Sequence, residues 1–172
     1  MNLRPLKSDD AASMLSWMHD PEAVRLLSAD FSSKTLADCQ AFIAASNKPG
    51  NNRHWAIADE TDRYLGTVSL KNIDPKNGTA EFAIVTCREA WGRGCAAFAI
   101  RECLRFAFDS MKLRAVYWYV NRENLRAVRF YEKQGYAPSD LPPASAPLNN
   151  PPDPRMVWFE ARSVPEEASD HA

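Results

Sequence analysis

A chain of 172 residues, 45% hydrophobic and 25% charged, carries enough apolar side chains for one globular domain with a core of its own. Its net charge of −1 argues against a general polyanion binder, and no run of about 18 apolar residues is present to span a membrane. Met1 to Pro5 lacks the apolar stretch of a signal peptide, and Cys39, Cys87, Cys95 and Cys103 lack metal-ligand spacing. A cytoplasmic protein with reduced, packed thiols and no bound metal is the expectation.

Leu3 to Leu6 reads as a short strand. Ser8, Asp9 and Asp10 start a helix that places Met14, Leu15, Trp17 and Met18 near one side. Pro21 opens a second short helix, Glu22 to Leu27. Thr35 caps a third, with Leu36, Cys39, Phe42 and Ile43 at helical spacing. The period then changes. His54 to Ala58, Tyr64 to Ile73 and Thr79 to Thr86 read as strands of an antiparallel meander, joined by short polar links.

The stretch from Thr79 to Ala107 organises the rest. A strand leads through Cys87 to Trp91 into a glycine turn, Gly92-Arg93-Gly94-Cys95-Ala96, and then a long helix reaching about Met111. Glycines let backbone amides approach a ligand without hindrance from Cβ, and the helix brings its unpaired amides and positive dipole end to the same place. Such a turn suits phosphate, although an ordinary loop with two glycines reads the same. Between Arg88 and Arg129 nine Lys/Arg stand against four acids, a net +5, which suits a polyanionic small ligand. The rest of the chain is acidic and no nucleic-acid motif accompanies the arginines, so no nucleic-acid partner is expected.

A strand follows at Ala115 to Val120, then a helix from Asn124 to Gln134 stopped by Gly135, and a strand near Tyr136. Strand, long helix and strand make one parallel crossover within an otherwise antiparallel sheet. Seven of the twelve prolines fall between Pro138 and Pro154, which reads as a mobile flap. Arg155 to Ala161 closes the sheet as a last strand, whose edge allows pairing with a second copy as a homodimer. The domain is expected to span residues 1–162, followed by a disordered acidic tail at 163–172.

Ala80-Glu81-Phe82, the turn Trp91 to Ala96, Val120 to Asn124, and Ala127 with Phe130 to Tyr136 together resemble the GNAT superfamily of acyl-CoA N-acyltransferases. Leu3 to Leu6 and Trp17 to Pro21 are similar to the branch of ribosomal-protein N-terminal, spermidine and sugar-nucleotide amine acetyltransferases. One departure is visible: Trp91 stands where the superfamily usually has Gln or Arg.

The resemblance implies a mixed α+β fold with a mostly antiparallel twisted sheet, helices on both faces, and a parallel pair, Thr79–Thr86 and Ala115–Val120, that splays apart. Acetyl-CoA is the implied co-substrate. Its pantetheine arm would meet Ile84, Val85 and Thr86, and its pyrophosphate the turn residues Trp91, Gly92, Arg93, Gly94, Cys95, Ala96 and Ala97. Asn124 would hydrogen-bond it, with Arg88, Arg93 or Arg129 near its phosphates. Glu81 is the candidate base for the amine and Tyr131 the candidate acid for the departing thiolate. An amide near Val85 would stabilise the developing oxyanion. His19 and Phe31 are weaker candidates for the acceptor side.

The implied reaction is direct transfer of an acetyl group to a primary amine. A protein N-terminus, a polyamine, an amino sugar or another small-molecule amine all fit as acceptor. Two rivals stand beside this reading. Residues 92–97 also satisfy a loose dinucleotide fingerprint, but a five-residue link precedes the first glycine and basic Lys112 and Arg114 occupy the region of the expected acid. The other is a catalytically silent acyl-CoA sensor or regulatory module of the same fold, against which the joint presence of Glu81 and Tyr131 argues.

Overall fold

The computed structural model describes residues 1–27, 29–147 and 153–164. Six strands form one sheet in chain order: Asn2–Arg4 (β1), Arg53–Ala58 (β2), Tyr64–Asp74 (β3), Thr79–Thr86 (β4), Ala115–Asn121 (β5) and Met156–Arg162 (β6). Every neighbouring pair is antiparallel except β4 and β5, which run parallel because a helix returns the chain between them. Helices Asp10–Met18 (α1), Pro21–Val24 (α2) and Leu36–Ser46 (α3) belong to the core on one face. Helices Cys95–Arg105 (α4) and Leu125–Lys133 (α5) belong to the core on the other. This is the expected mixed α+β fold.

Capping residues start α2 and α3, and a buried stripe holds α4. Asp20 accepts from the Glu22 amide at 3.0 Å to cap α2, and Thr35 with Asp38 makes a reciprocal capping box on α3. Along α4, Cys95, Ala99, Ile100, Cys103 and Leu104 are buried against β-branched and aromatic residues of the sheet. The chain continues past α4 as a wider turn over Phe106–Ser110, with the Met111 amide bonded to the Phe106 carbonyl at 3.1 Å. Lys112, at φ +55°, then ends it.

One buried ion pair ties the start of the chain to α1. The Arg4 guanidinium donates two hydrogen bonds of 2.8 Å to the Asp10 carboxylate, both side chains being at most 10% exposed, and also pairs with Asp62. Removing the guanidinium strands a carboxylate away from water. Arg4→Ala is therefore expected to destabilise the fold by about 3–5 kcal/mol, measured as a lower urea midpoint at constant slope.

Three sequence expectations are corrected. No strand forms at Tyr136: Gly135 ends α5 at φ +89°, Pro138 has no N–H to donate, and only a single bridge, Ser139 to Trp158, touches the sheet. The Tyr136 ring packs edge-on against Trp118 instead, 4.9 Å between centroids. β1 stops at Arg4 rather than Leu6, and α2 at Val24 rather than Leu27.

The described part of the proline-rich segment is attached to the edge of β6. Ser139 exchanges two backbone bonds with Trp158, Ala146 is buried, and the Ser145 hydroxyl bonds Glu160 at 2.5 Å. Part of the edge expected to be open to a second copy is thus already used. The remainder of that segment, 148–152, and the tail 165–172 lie outside the described residues.

Candidate active site

The sheet opens between β4 and β5. Their pairing covers only Thr79–Ala115, Ala80–Val116 and Glu81–Tyr117, after which the strands diverge. β4 stays bonded to β3 through Thr86, and β5 to β6 through Asn121, so the gap lies between two otherwise held strands. A cleft of about 600 Å³ fills it.

Alternation along the strands decides which backbone groups face this gap. The Cys87 amide bonds the Leu65 carbonyl at 2.8 Å, so the odd-numbered amides of this part of β4 turn toward β3. Ile84 therefore presents its amide and carbonyl to the cleft and Thr86 its amide, the Thr86 carbonyl accepting from the Trp91 indole at 3.3 Å. Val85 lines the cleft, but its amide points to β3, so the amides near it that face the gap are those of Ile84 and Thr86. On the other side the Arg122 amide bonds Arg155 across β6 at 2.7 Å, leaving Tyr119 and Asn121 facing the gap.

At the open end of the cleft the glycine turn takes shape. Arg88–Ala90 forms a short 3-10 turn, Gly92 sits at φ +72°, and Gly94 at φ +78° immediately precedes α4. Only glycine adopts these values without strain, and neither position has another group within 4 Å of where a Cβ would lie. The first bond of α4 runs from the Phe98 amide to the Gly94 carbonyl, 2.9 Å, so the amides of Cys95, Ala96 and Ala97 precede the helical ladder. Trp91, Gly92, Gly94, Cys95, Ala96 and Ala97 all line the cleft. The Arg93 amide is used inside the turn, bonding Ala90 at 3.3 Å, and Arg93 does not line the cleft.

Asn124 caps α5, its side-chain oxygen accepting from the Ala127 amide at 3.1 Å, so only its side-chain NH2 is left to donate into the cleft it lines. Two turns along, Tyr131 is 4% exposed, wedged between Trp118, Phe130 and Phe159 at 5.0–5.3 Å between centroids. Its burial pushes the phenol well above its ordinary value, which keeps the hydroxyl protonated. The ring lines the cleft, and no described residue hydrogen-bonds the hydroxyl.

Glu81 lines the inner end, where the strands still pair. It is 8% exposed, with Lys71 Nζ at 2.6 Å from one oxygen and Asn72 Nδ2 at 2.9 Å from the other. A carboxylate has about four acceptor positions, so room remains for a water or an amine. A register shift in β3 after Lys71 puts Asn72 at φ +49° and aims its side chain at Glu81.

Two other expectations meet different surroundings. Phe31 lines the cleft and packs edge-on against Trp17, 5.1 Å between centroids. His19 does not reach it: its ring bonds the Lys34 carbonyl at 2.9 Å on the outer surface. Arg88 is held by Asp20, with 2.8 Å between Nε and the carboxylate, and neither it nor Arg129 lines the cleft. The arginine that does is Arg126, which sequence reasoning missed, and Lys71 and Lys133 line the cleft too. Its guanidinium lies 3.3 Å from the centroid of the Trp91 ring, and no described carboxylate pairs with it. The arginine at a spacing of two from the capping Asn124 was the available signal.

The cysteines are poor nucleophiles here. Burial pushes the Cys87 thiol up to about 11 and Cys103 to about 12, and raises Cys95, the one that lines the cleft. Among the described residues no cluster of His, Cys, Asp or Glu is arranged to hold a metal. Among the described residues no helix is long and apolar enough to cross a membrane.

Known proteins share this architecture. The spermidine N-acetyltransferase of Vibrio cholerae, solved in complex with CoA and spermine, superimposes with a TM-score of 0.78 over 94% of each chain at 20% identity. By sequence, an uncharacterised N-acetyltransferase, p20, of Bacillus licheniformis is 28% identical over 143 residues, covering 78% of this chain and 80% of that protein. The Vibrio cholerae spermidine N(1)-acetyltransferase is 32% identical over 84 residues, 49% of either chain. The model of the acetyltransferase (GNAT) domain matches residues 1–137, and on that match the chain belongs to the GNAT family and is an N-acetyltransferase.

Proposed function

We propose that the chain moves an acetyl group from acetyl-CoA directly to a primary amine in the cleft between β4 and β5. The observation that carries this is a convergence: free backbone groups of β4, the residues that lead α4 and Tyr131 all line one cavity. The open space around Gly92 and Gly94, flanked by those amides and by unpaired Arg126, fits a diphosphate. Acetyl-CoA would supply an acyl group already activated as a thioester.

The chain's own residues divide the remaining work. Ile84 and Thr86 hold the extended arm as an added strand would be held. The amides of Cys95, Ala96 and Ala97, with Asn124 and Arg126, hold the diphosphate. Glu81 accepts the proton of the attacking amine, directly or through one water, since only the neutral amine is nucleophilic. The amide of Ile84 faces the developing oxyanion. As the new N–C bond forms and the C–S bond breaks, Tyr131 donates its proton to sulfur, and the proton taken from the amine restores it through solvent. The raised thiol of Cys95 is consistent with transfer that bypasses an acyl-cysteine. The names of similar proteins support an amine as acceptor.

The test is thiol release from acetyl-CoA with a panel of amines, alongside calorimetric titration of coenzyme A. Binding together with amine-dependent release is the expected result. Binding with no release on any amine would leave a sensor, and no binding would remove the cofactor assignment.

A further inference from the structure

The acceptor end of the cleft carries little free negative charge. Its walls include Leu26, Leu27, Phe31 and Tyr119, and Glu81 is the one carboxylate among the described residues that line the cleft. That carboxylate is already neutralised by Lys71 at 2.6 Å, which lines the same cavity. The neighbouring acids are engaged elsewhere: Asp20 holds Arg88, Glu22 lies 3.9 Å from Arg25, and Asp30 accepts from Ser32. None of the three lines the cleft.

A polyamine carries further ammonium groups along its chain besides the reacting nitrogen. Each would have to leave water for this apolar wall without a carboxylate to meet it, and Lys71 would repel it. An amine whose only charge is the reacting nitrogen meets no such penalty. Its apolar body instead covers Leu26, Leu27 and Phe31, and its nitrogen faces Glu81.

We infer that the acceptor is a monoamine, one basic nitrogen on an apolar or aromatic body, and that polyamines are poor substrates. The inference rests on the transferase reading above. An arylalkylamine and a neutral peptide with an apolar N-terminus share this chemistry, and separate arms of the assay distinguish them.

Purified full-length protein is given acetyl-CoA with 2-phenylethylamine, a neutral leucyl peptide, spermidine or spermine, and thiol release is followed. The better monoamine arm is expected to exceed spermidine in kcat/KM by roughly tenfold or more, as unpaired charge sets the discrimination. Leu26→Glu supplies the missing carboxylate. It is expected to raise kcat/KM for spermidine by about tenfold and lower it for 2-phenylethylamine, with unchanged coenzyme A affinity showing that the variant is folded. Spermidine or spermine preferred over both monoamines, with normal coenzyme A binding, overturns the acceptor class alone. Binding without acetylation of any amine overturns the transferase reading and the acceptor class together.

Discussion

Tyr131→Phe is expected to lower kcat by about a hundredfold or more, the range for loss of a positioned general acid, while the dissociation constant for acetyl-CoA stays nearly unchanged. The ring makes the packing contacts, with Trp118, Phe130 and Phe159, and phenylalanine keeps all of them. The hydroxyl bonds no described residue, so its removal strands no partner and costs the fold little. Only the proton for the departing sulfur is lost. The sign of the pH dependence follows from burial: the phenol is raised, so it stays protonated as pH climbs through the range where the amine becomes neutral. Wild-type kcat should accordingly rise with pH without a falling limb from Tyr131, and the variant should lie below it at every pH. Equal rates for the two proteins across pH would remove Tyr131 from the reaction.

Gly94→Val is expected to raise the acetyl-CoA dissociation constant beyond measurable range, with the fold retained. Gly94 sits at φ +78°, and a left-handed conformation costs an ordinary L-residue about 1–2 kcal/mol; a β-branched side chain tolerates it less well. No group lies within 4 Å of the new Cβ, so crowding in the free protein is not the cause. The turn instead relaxes toward negative φ, and the amides of Cys95, Ala96 and Ala97 leave their shared aim. The valine methyls also enter the space assigned to the diphosphate. Gly50→Val is the control, because Gly50 has neither a positive φ nor a neighbour within 4 Å and should leave binding unchanged. Normal binding by Gly94→Val, measured by calorimetry, would move the diphosphate to another place.

Most of the strands and helices were legible because each carries its own signal. Thr35 and Asn124 cap the helices they were read to start, Pro21 opens α2 as read, and the alternation of β2 to β4 marks the meander. The strand expected at Tyr136 failed for a local reason: the alternation there is too short to outweigh Pro138 and the aromatic contact with Trp118. Within the site, the turn residues were readable since glycine at positive φ is a local property. Lys71, Asn72 and Arg126 were not. Lys71 reaches Glu81 as its partner across the β3–β4 pairing, Asn72 does so because β3 shifts register after Lys71, and Arg126 meets Trp91 from a different helix. His19 went the other way: a polar residue in a segment expected near the acceptor bonds Lys34 on the outer surface.

The sequence by itself determined the order of elements, the single parallel crossover and the glycine turn that opens α4, because caps, periodicity and backbone freedom act over a few neighbouring residues. Only the tertiary structure decided which amides of β4 face the gap, how the charge of Glu81 is balanced, and how little negative charge lines the cleft. Those depend on strand register and on side chains from distant segments meeting across a cavity, where one residue of slip would turn each group to the opposite side.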